Sequence, residues 1–178
     1  MNDDMSRCFA PATTPHVRLL ILGSLPGEQS LVKQQYYGHP RNQFWRLIGE
    51  RLCIDLTRMH YEERLHCLNA HNVGLWDVVA SAVRPGSLDK DMRDIETNPL
   101  GGFIRQFAAL EAIGFNGGTA ARIGRRQLVQ TPLNAAGTAL ALIDLPSSSP
   151  AHTLAYAYKT QAWAALAPYI DPAPSSAI

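Results

Sequence analysis

The 178-residue sequence is short of several things, and each shortage excludes a class of protein. Its three cysteines, Cys8, Cys53 and Cys67, lie too far apart for a Cys-x-x-Cys knuckle and are too few for a four-thiolate zinc or iron–sulfur site. Neither sign of charge is in surplus: 16 Lys and Arg stand against 15 Asp and Glu, a net charge of +1. A polyanion would have to be gripped by a local patch and not by bulk charge. No apolar run approaches the roughly 18 residues that span a bilayer. The start, Met1-Asn2-Asp3-Asp4, is acidic where a secretory signal is basic. A cytoplasmic protein is expected. No internal repeat is present. What remains, with 46% hydrophobic and 17% charged residues, fits one domain over residues 1–178, with a core at about 16–170 and both ends frayed.

The apolar run 17–22, interrupted only by Arg18, is rich in branched residues and ends in Gly23-Ser24-Leu25-Pro26-Gly27. That pattern predicts a buried strand meeting a turn. Further buried strands are expected at 73–76, 110–115 and 139–145, with helical patterns over 43–52, 61–70, 99–107, 119–128 and 153–166. Alternation of strand and helix implies an α/β fold whose mostly parallel sheet is covered on both faces. Ligands of such sheets bind beyond the carboxyl ends of the strands. The search therefore narrows to residues 23–27, Asp77, Asn116-Gly117-Gly118 and Pro146-Ser147-Ser148-Ser149-Pro150.

The 23–27 turn lacks the lysine of a nucleotide P-loop and the Gly-x-Gly-x-x-Gly fingerprint, so alone it reads equally as an ordinary strand-to-helix turn. The segment Tyr36-Tyr37-Gly38-His39-Pro40-Arg41-Asn42-Gln43-Phe44-Trp45 holds a glycine and a proline that keep most of it in a loop. Loop aromatics beside an amide and a guanidinium suit the stacking and edge recognition of a flat ring. Trp45 is expected to fill the core. The run Leu145-Pro146-Ser147-Ser148-Ser149-Pro150-Ala151-His152 reads as a phosphate site at a helix start or as a plain serine-rich cap. Ser30-Leu31-Val32-Lys33 fits the Ser-x-x-Lys pattern of acyl-transfer enzymes, but no Ser-Asp-Asn or Lys-Thr-Gly partner accompanies it.

Together, residues 23–27 with Ser30-Leu31, the 36–45 segment and residues 145–152 resemble the hypoxanthine-DNA glycosylase family, family 6 of the uracil-DNA glycosylase superfamily. Leu75-Trp76-Asp77-Val78, Gly86-Ser87-Leu88-Asp89 and Phe115-Asn116-Gly117 match as well, so the resemblance runs from about Arg18 to Leu166. It implies a three-layer α/β/α sandwich with about four strands. The implied activity is to flip a deaminated base, chiefly hypoxanthine, out of double-stranded DNA and hydrolyse its N-glycosidic bond. No cofactor or metal is implied, and one subunit suffices, so a monomer is expected. Uracil as the main substrate and a non-catalytic lesion-binding module remain as alternatives.

Related mismatch glycosylases carry a catalytic asparagine in the first motif, where this chain has Leu25. In the resembled family that role falls to the His-Pro-x-Asn asparagine, which maps to Asn42 as the residue that positions or polarises water. The resemblance further assigns base stacking to Phe44. Gly23 and Ser24 supply backbone donors to the base. Asn116, by its place at a strand end, suits base recognition or a plain Asn-Gly turn. Ser147, Ser148 and Ser149 are expected on phosphates, with Pro150 and His152 facing the gap in the duplex. Asp77 is either a polar pocket residue or a loop cap, the latter favoured. Arg41, Arg84, Lys90, Arg93 and Lys159 are the scattered basic residues from which a DNA patch would draw.

Overall fold

A computed structural model of the protein describes residues 5–130 and 132–170. The first half of the chain runs β1 (Met5–Arg7), β2 (Leu19–Gly23), α1 (Glu28–Lys33), α2 (Phe44–Leu52), α3 (Tyr61–Ala70), β3 (Val73–Asp77) and β4 (Val79–Val83). The second half adds β5 (Arg93–Thr97), α4 (Leu100–Ile104), β6 (Ala112–Asn116), α5 (Gly118–Gln127), β7 (Ala141–Leu145) and α6 (Tyr156–Trp163). The four strands expected from the branched runs pair in parallel in the order β3-β2-β6-β7.

Successive residues of β2 point to opposite faces, so each face acquires its own core. Leu19 and Ile21 pack with Phe44, Leu47, Ile48, Trp163 and Leu166, under α2, α3 and α6. Leu20 and Leu22 pack with Ile104, Phe107, Ile123 and Leu128, under α4 and α5. Helices on both faces of the sheet give the three-layer α/β/α sandwich that was expected. Trp45 is buried, as expected, and its indole N–H donates to the Tyr36 carbonyl at 3.3 Å.

One expectation fails. The first fifteen residues are not frayed where they are described: β1 pairs antiparallel with β4, and Ala12 bridges Leu75. The strand expected at 73–76 is present as β3, and the chain continues past it. It turns at Val78, and β4 leaves the parallel sheet to form a three-stranded antiparallel sheet in the order β1-β4-β5. The expected C-terminal tail, 171–178, lies outside the described residues. Among the described residues no helix is long and apolar enough to cross a membrane.

Strand β2 has β3, the next parallel strand in the chain, on one side and β6 on the other. The crossover direction reverses there, so the loops at its carboxyl end diverge and leave a crevice.

Candidate active site

That crevice is a cavity of about 700 Å³. Of the residues singled out from sequence, Gly23, Ser24, Asn42, Asn116, Ser147, Ser148, Ser149, Pro150 and His152 all line it, as do Tyr37 and Asp77. Phe44 does not.

Phe44 opens α2 and is fully buried, 0% exposed, in the core beneath the sheet. Between it and the cavity lies Tyr37, whose ring stacks on that of Phe44 with centroids 3.8 Å apart and an angle of 13°. The expectation that Phe44 faces the site is therefore corrected: the aromatic ring that lines the cavity is that of Tyr37, and Phe44 backs it. Tyr37 has a left-handed backbone, φ 55°, which is uncommon for an aromatic residue and costs conformational energy. Its hydroxyl is buried without a partner within bonding distance, and burial pushes its pKa well up.

Asn42 is half-buried. Its Oδ1 accepts the Phe44 N–H at 2.9 Å, which fixes the amide at the start of α2. The Nδ2 group and the second lone pair of Oδ1 have no protein partner among the described residues. Asn116, at the end of β6, is differently occupied. Its Nδ2 donates to Ser148 Oγ at 2.9 Å and its Oδ1 accepts the Ser148 N–H at 2.8 Å. The amide is thus a clamp joining β6 to the serine loop. Gly117 follows at φ 103°, and a β-carbon there would stand 3.0 Å from Ser147 Cβ, so the approach of the two loops requires glycine.

The three serines are not equivalent. Ser148 is buried, and its carbonyl accepts the Gln43 N–H at 3.0 Å, so it joins three loops and meets no phosphate in this arrangement. Ser147 and Ser149 are half-buried, their hydroxyls accepting from Ser149 N–H and Ala151 N–H. The helix expected from residue 153 begins only at Tyr156, so the serines cap no helix. Residues 151–155 are exposed.

Two members of the expected basic patch turn inward. Arg84 and Lys159 are 2% and 1% exposed, with Lys159 Nζ donating to the His152 carbonyl at 2.8 Å. Lys90 lines the cavity mouth, and Arg41 is exposed.

Asp77, for which a loop cap was favoured over a pocket role, lines the cavity. It ends β3 3% exposed, its carbonyl held by Asn98 Nδ2 at 2.8 Å, and its Oδ2 has no partner. Burial raises its pKa from 3.8 to about 7; Asp89 adds to the rise and Arg84 opposes it. An aspartate closing a wholly apolar strand was the signal available.

Residues 10–167 match the family model described as the Uracil DNA glycosylase superfamily. The chain belongs to the uracil DNA glycosylase superfamily. Within it, similarity extends to two proteins named Hypoxanthine DNA glycosylase. That of Methanosarcina acetivorans is 42% identical over 113 residues, covering 64% of this chain and 72% of the relative. That of Methanosarcina barkeri is 41% identical over 109 residues, covering 61% and 69%. A solution structure of a candidate uracil DNA glycosylase from Methanosarcina acetivorans superposes with a TM-score of 0.77 at 35% identity, over 91% of this chain and 96% of that one.

The uracil DNA glycosylase cavity in this chain offers a flat ring, an anchored amide and a buried carboxyl. Such groups act by orientation and electrostatics. An N-glycosidic bond breaks through an oxocarbenium-like state, in which positive charge grows on the sugar and negative charge on the base. Donors pre-aimed at the departing base are worth more in a partly enclosed crevice than in water.

Proposed function

We propose that the protein is a monofunctional DNA glycosylase that removes deaminated bases, hypoxanthine first, by hydrolysis to an abasic site. Superfamily membership and similarity to two proteins named Hypoxanthine DNA glycosylase support the reaction and the base. The observation that carries it in the molecule is the grouping of Tyr37, Asn42 and Asp77 around one cavity.

In this reading Tyr37 stacks on the flipped base and Asn42 holds the attacking water through its free amide positions. Asp77 reads the base edge. Hypoxanthine presents N1–H as a donor and O6 as an acceptor, whereas adenine presents an acceptor at N1 and an amino donor. A carboxyl titrating near 7 accepts from N1–H when ionised and donates to O6 or N7 when protonated. Ser147, Ser149 and Lys90 border the mouth and suit the flanking phosphates, with Pro150 to Leu154 at the gap in the duplex. The protein is read as acting as a monomer.

The test is a panel of duplexes carrying one deoxyinosine, deoxyuridine or deoxyxanthosine, incubated without metal and then treated with alkali. Strand breaks are expected, fastest at deoxyinosine. Faster cleavage at deoxyuridine would make uracil the main substrate, and no cleavage of any duplex would leave a lesion-binding module.

A further inference from the structure

Arg84 follows β4 and reaches back beneath the loop that leaves β2. Its Nη1 donates to the Leu25 carbonyl at 3.4 Å, and its Nη2 donates to the Pro26 carbonyl. Asp89 Oδ1 lies 3.5 Å from Nη1, and the buried Nε has no partner. Asp89 offsets the guanidinium charge, so what Arg84 adds to the loop is geometric.

The two preceding carbonyls are held from the same side of the molecule. Gly23 accepts the Val78 N–H at 2.9 Å and Ser24 accepts the Val79 N–H at 3.1 Å. Four consecutive carbonyls, Gly23 to Pro26, are thus turned toward the β3–β4 segment and Arg84. No peptide bond is cis, and in a trans peptide the N–H points away from its carbonyl. The N–H groups of Ser24, Leu25 and Gly27 therefore point to the other side; Pro26 has none. Among the described residues none of the three has an acceptor, and all three residues line the cavity. A row of unpaired donors along a half-open cavity is a site for negative charge.

We propose that Arg84 is a positioning residue for the glycosylase reaction: by clamping the Leu25 and Pro26 carbonyls it aims the Gly27 N–H, beside those of Ser24 and Leu25, at the departing base. The inference rests on the glycosylase reading above. The planar guanidinium presents its donors in a fixed fork that matches two neighbouring carbonyls, whereas a lysine ammonium carries three rotatable donors on a flexible stem and does not fix their directions.

Two variants test it. Arg84→Lys keeps the charge and loses the fork. The pair Arg84→Met with Asp89→Asn removes the clamp without leaving the half-buried Asp89 carboxylate unpaired, which keeps the test open if a single change impairs folding. Single-turnover excision from a deoxyinosine duplex is expected to fall about tenfold to a hundredfold in both, less than the roughly hundredfold to thousandfold cost of removing such a donor outright. Affinity for the same duplex is expected to hold. The defect is expected to shrink for deoxyxanthosine, whose base leaves as a more stable anion, and the amide resonance of Gly27 is expected to move while those of Leu19 to Leu22 stay. Wild-type rates in both variants, or equal slowing at both bases with an unmoved Gly27 resonance, would overturn the role. Absence of excision by the unaltered protein on every lesion duplex would instead overturn the glycosylase reading, and this inference with it.

Discussion

The Asp77 carboxyl lies directly over the α-carbon of Gly23. A β-carbon at position 23 would stand 2.6 Å from Asp77 Oδ1 and 3.3 Å from the Tyr37 hydroxyl. Glycine ends β2 because the cavity begins where a side chain would be. Gly23→Ala is therefore expected to push the carboxyl and the tyrosine out of place together, at an overpacking cost of about 1–3 kcal/mol. Excision is expected to drop more steeply than thermal stability. A variant that loses stability but keeps full excision per folded molecule would show that the contact matters only to packing.

Asp77 also gives the fold a pH dependence of definite sign. Its folded pKa, about 7, lies above its ordinary value of 3.8 because burial and Asp89 penalise the ionised form, with Arg84 opposing them. Between those values the folded chain keeps a proton that the unfolded chain releases. Its contribution is thus full below about pH 4 and is lost as pH rises toward 7, by at most about 1.4 kcal/mol per pH unit. Tyr36, Tyr37 and Cys8 share its field but titrate above this window. Urea unfolding of the protein and of Asp77→Asn at several pH values checks this. The variant is expected to lack the decline and to be the more stable of the two near pH 7.5, whereas parallel curves would show an ordinary carboxyl.

Much of this was legible in the chain because strands buried on both faces write themselves as continuous apolar runs. Leu19 to Leu22 and Val73 to Trp76 could hardly be anything else, and the loops after them had to hold the site. The antiparallel sheet was not legible: β1 is three residues long and β5, Arg93 to Thr97, is exposed throughout, so neither carries an apolar signature. Nor could composition tell Tyr37 from Phe44. Both are aromatics in one segment, and which of them faces the cavity is decided by the left-handed turn at Tyr37 and the start of α2. Arg84 failed for a similar reason, since an arginine that supports a loop from behind reads in sequence like one that meets solvent.

The stacked pair of rings separates two roles by mutation. Tyr37→Ala is expected to weaken the complex with lesion-bearing duplex by about 1–3 kcal/mol, the range for base–aromatic stacking, with little loss of stability. Tyr37→Phe keeps the ring, removes a buried hydroxyl that has no partner, and is expected to bind as the unaltered protein does. Phe44→Ala is expected to do the reverse, costing about 3–5 kcal/mol of stability through a core cavity. Lesion affinity measured at a temperature where each variant is folded checks the division. Loss of affinity in Phe44→Ala alone would return the platform to Phe44.

Asn42 has two functions that one substitution would confound. Its Oδ1 holds the Phe44 N–H and so helps start α2, while its remaining amide positions face the cavity. Asn42→Ala loses both, and is expected to cost about 1 kcal/mol of stability for the hydrogen bond. Excision is expected to fall by about two to three orders of magnitude, as on losing one oriented polar group in an active site. Asn42→Asp keeps the acceptor for Phe44 and should restore the stability, but it replaces the amide donor with charge. Single-turnover rates and duplex affinities of the two variants decide the matter. If both bind the deoxyinosine duplex normally and both lose excision, the amide acts on the reaction; if Asn42→Ala excises at the normal rate, the water-positioning role falls and the residue is only a turn.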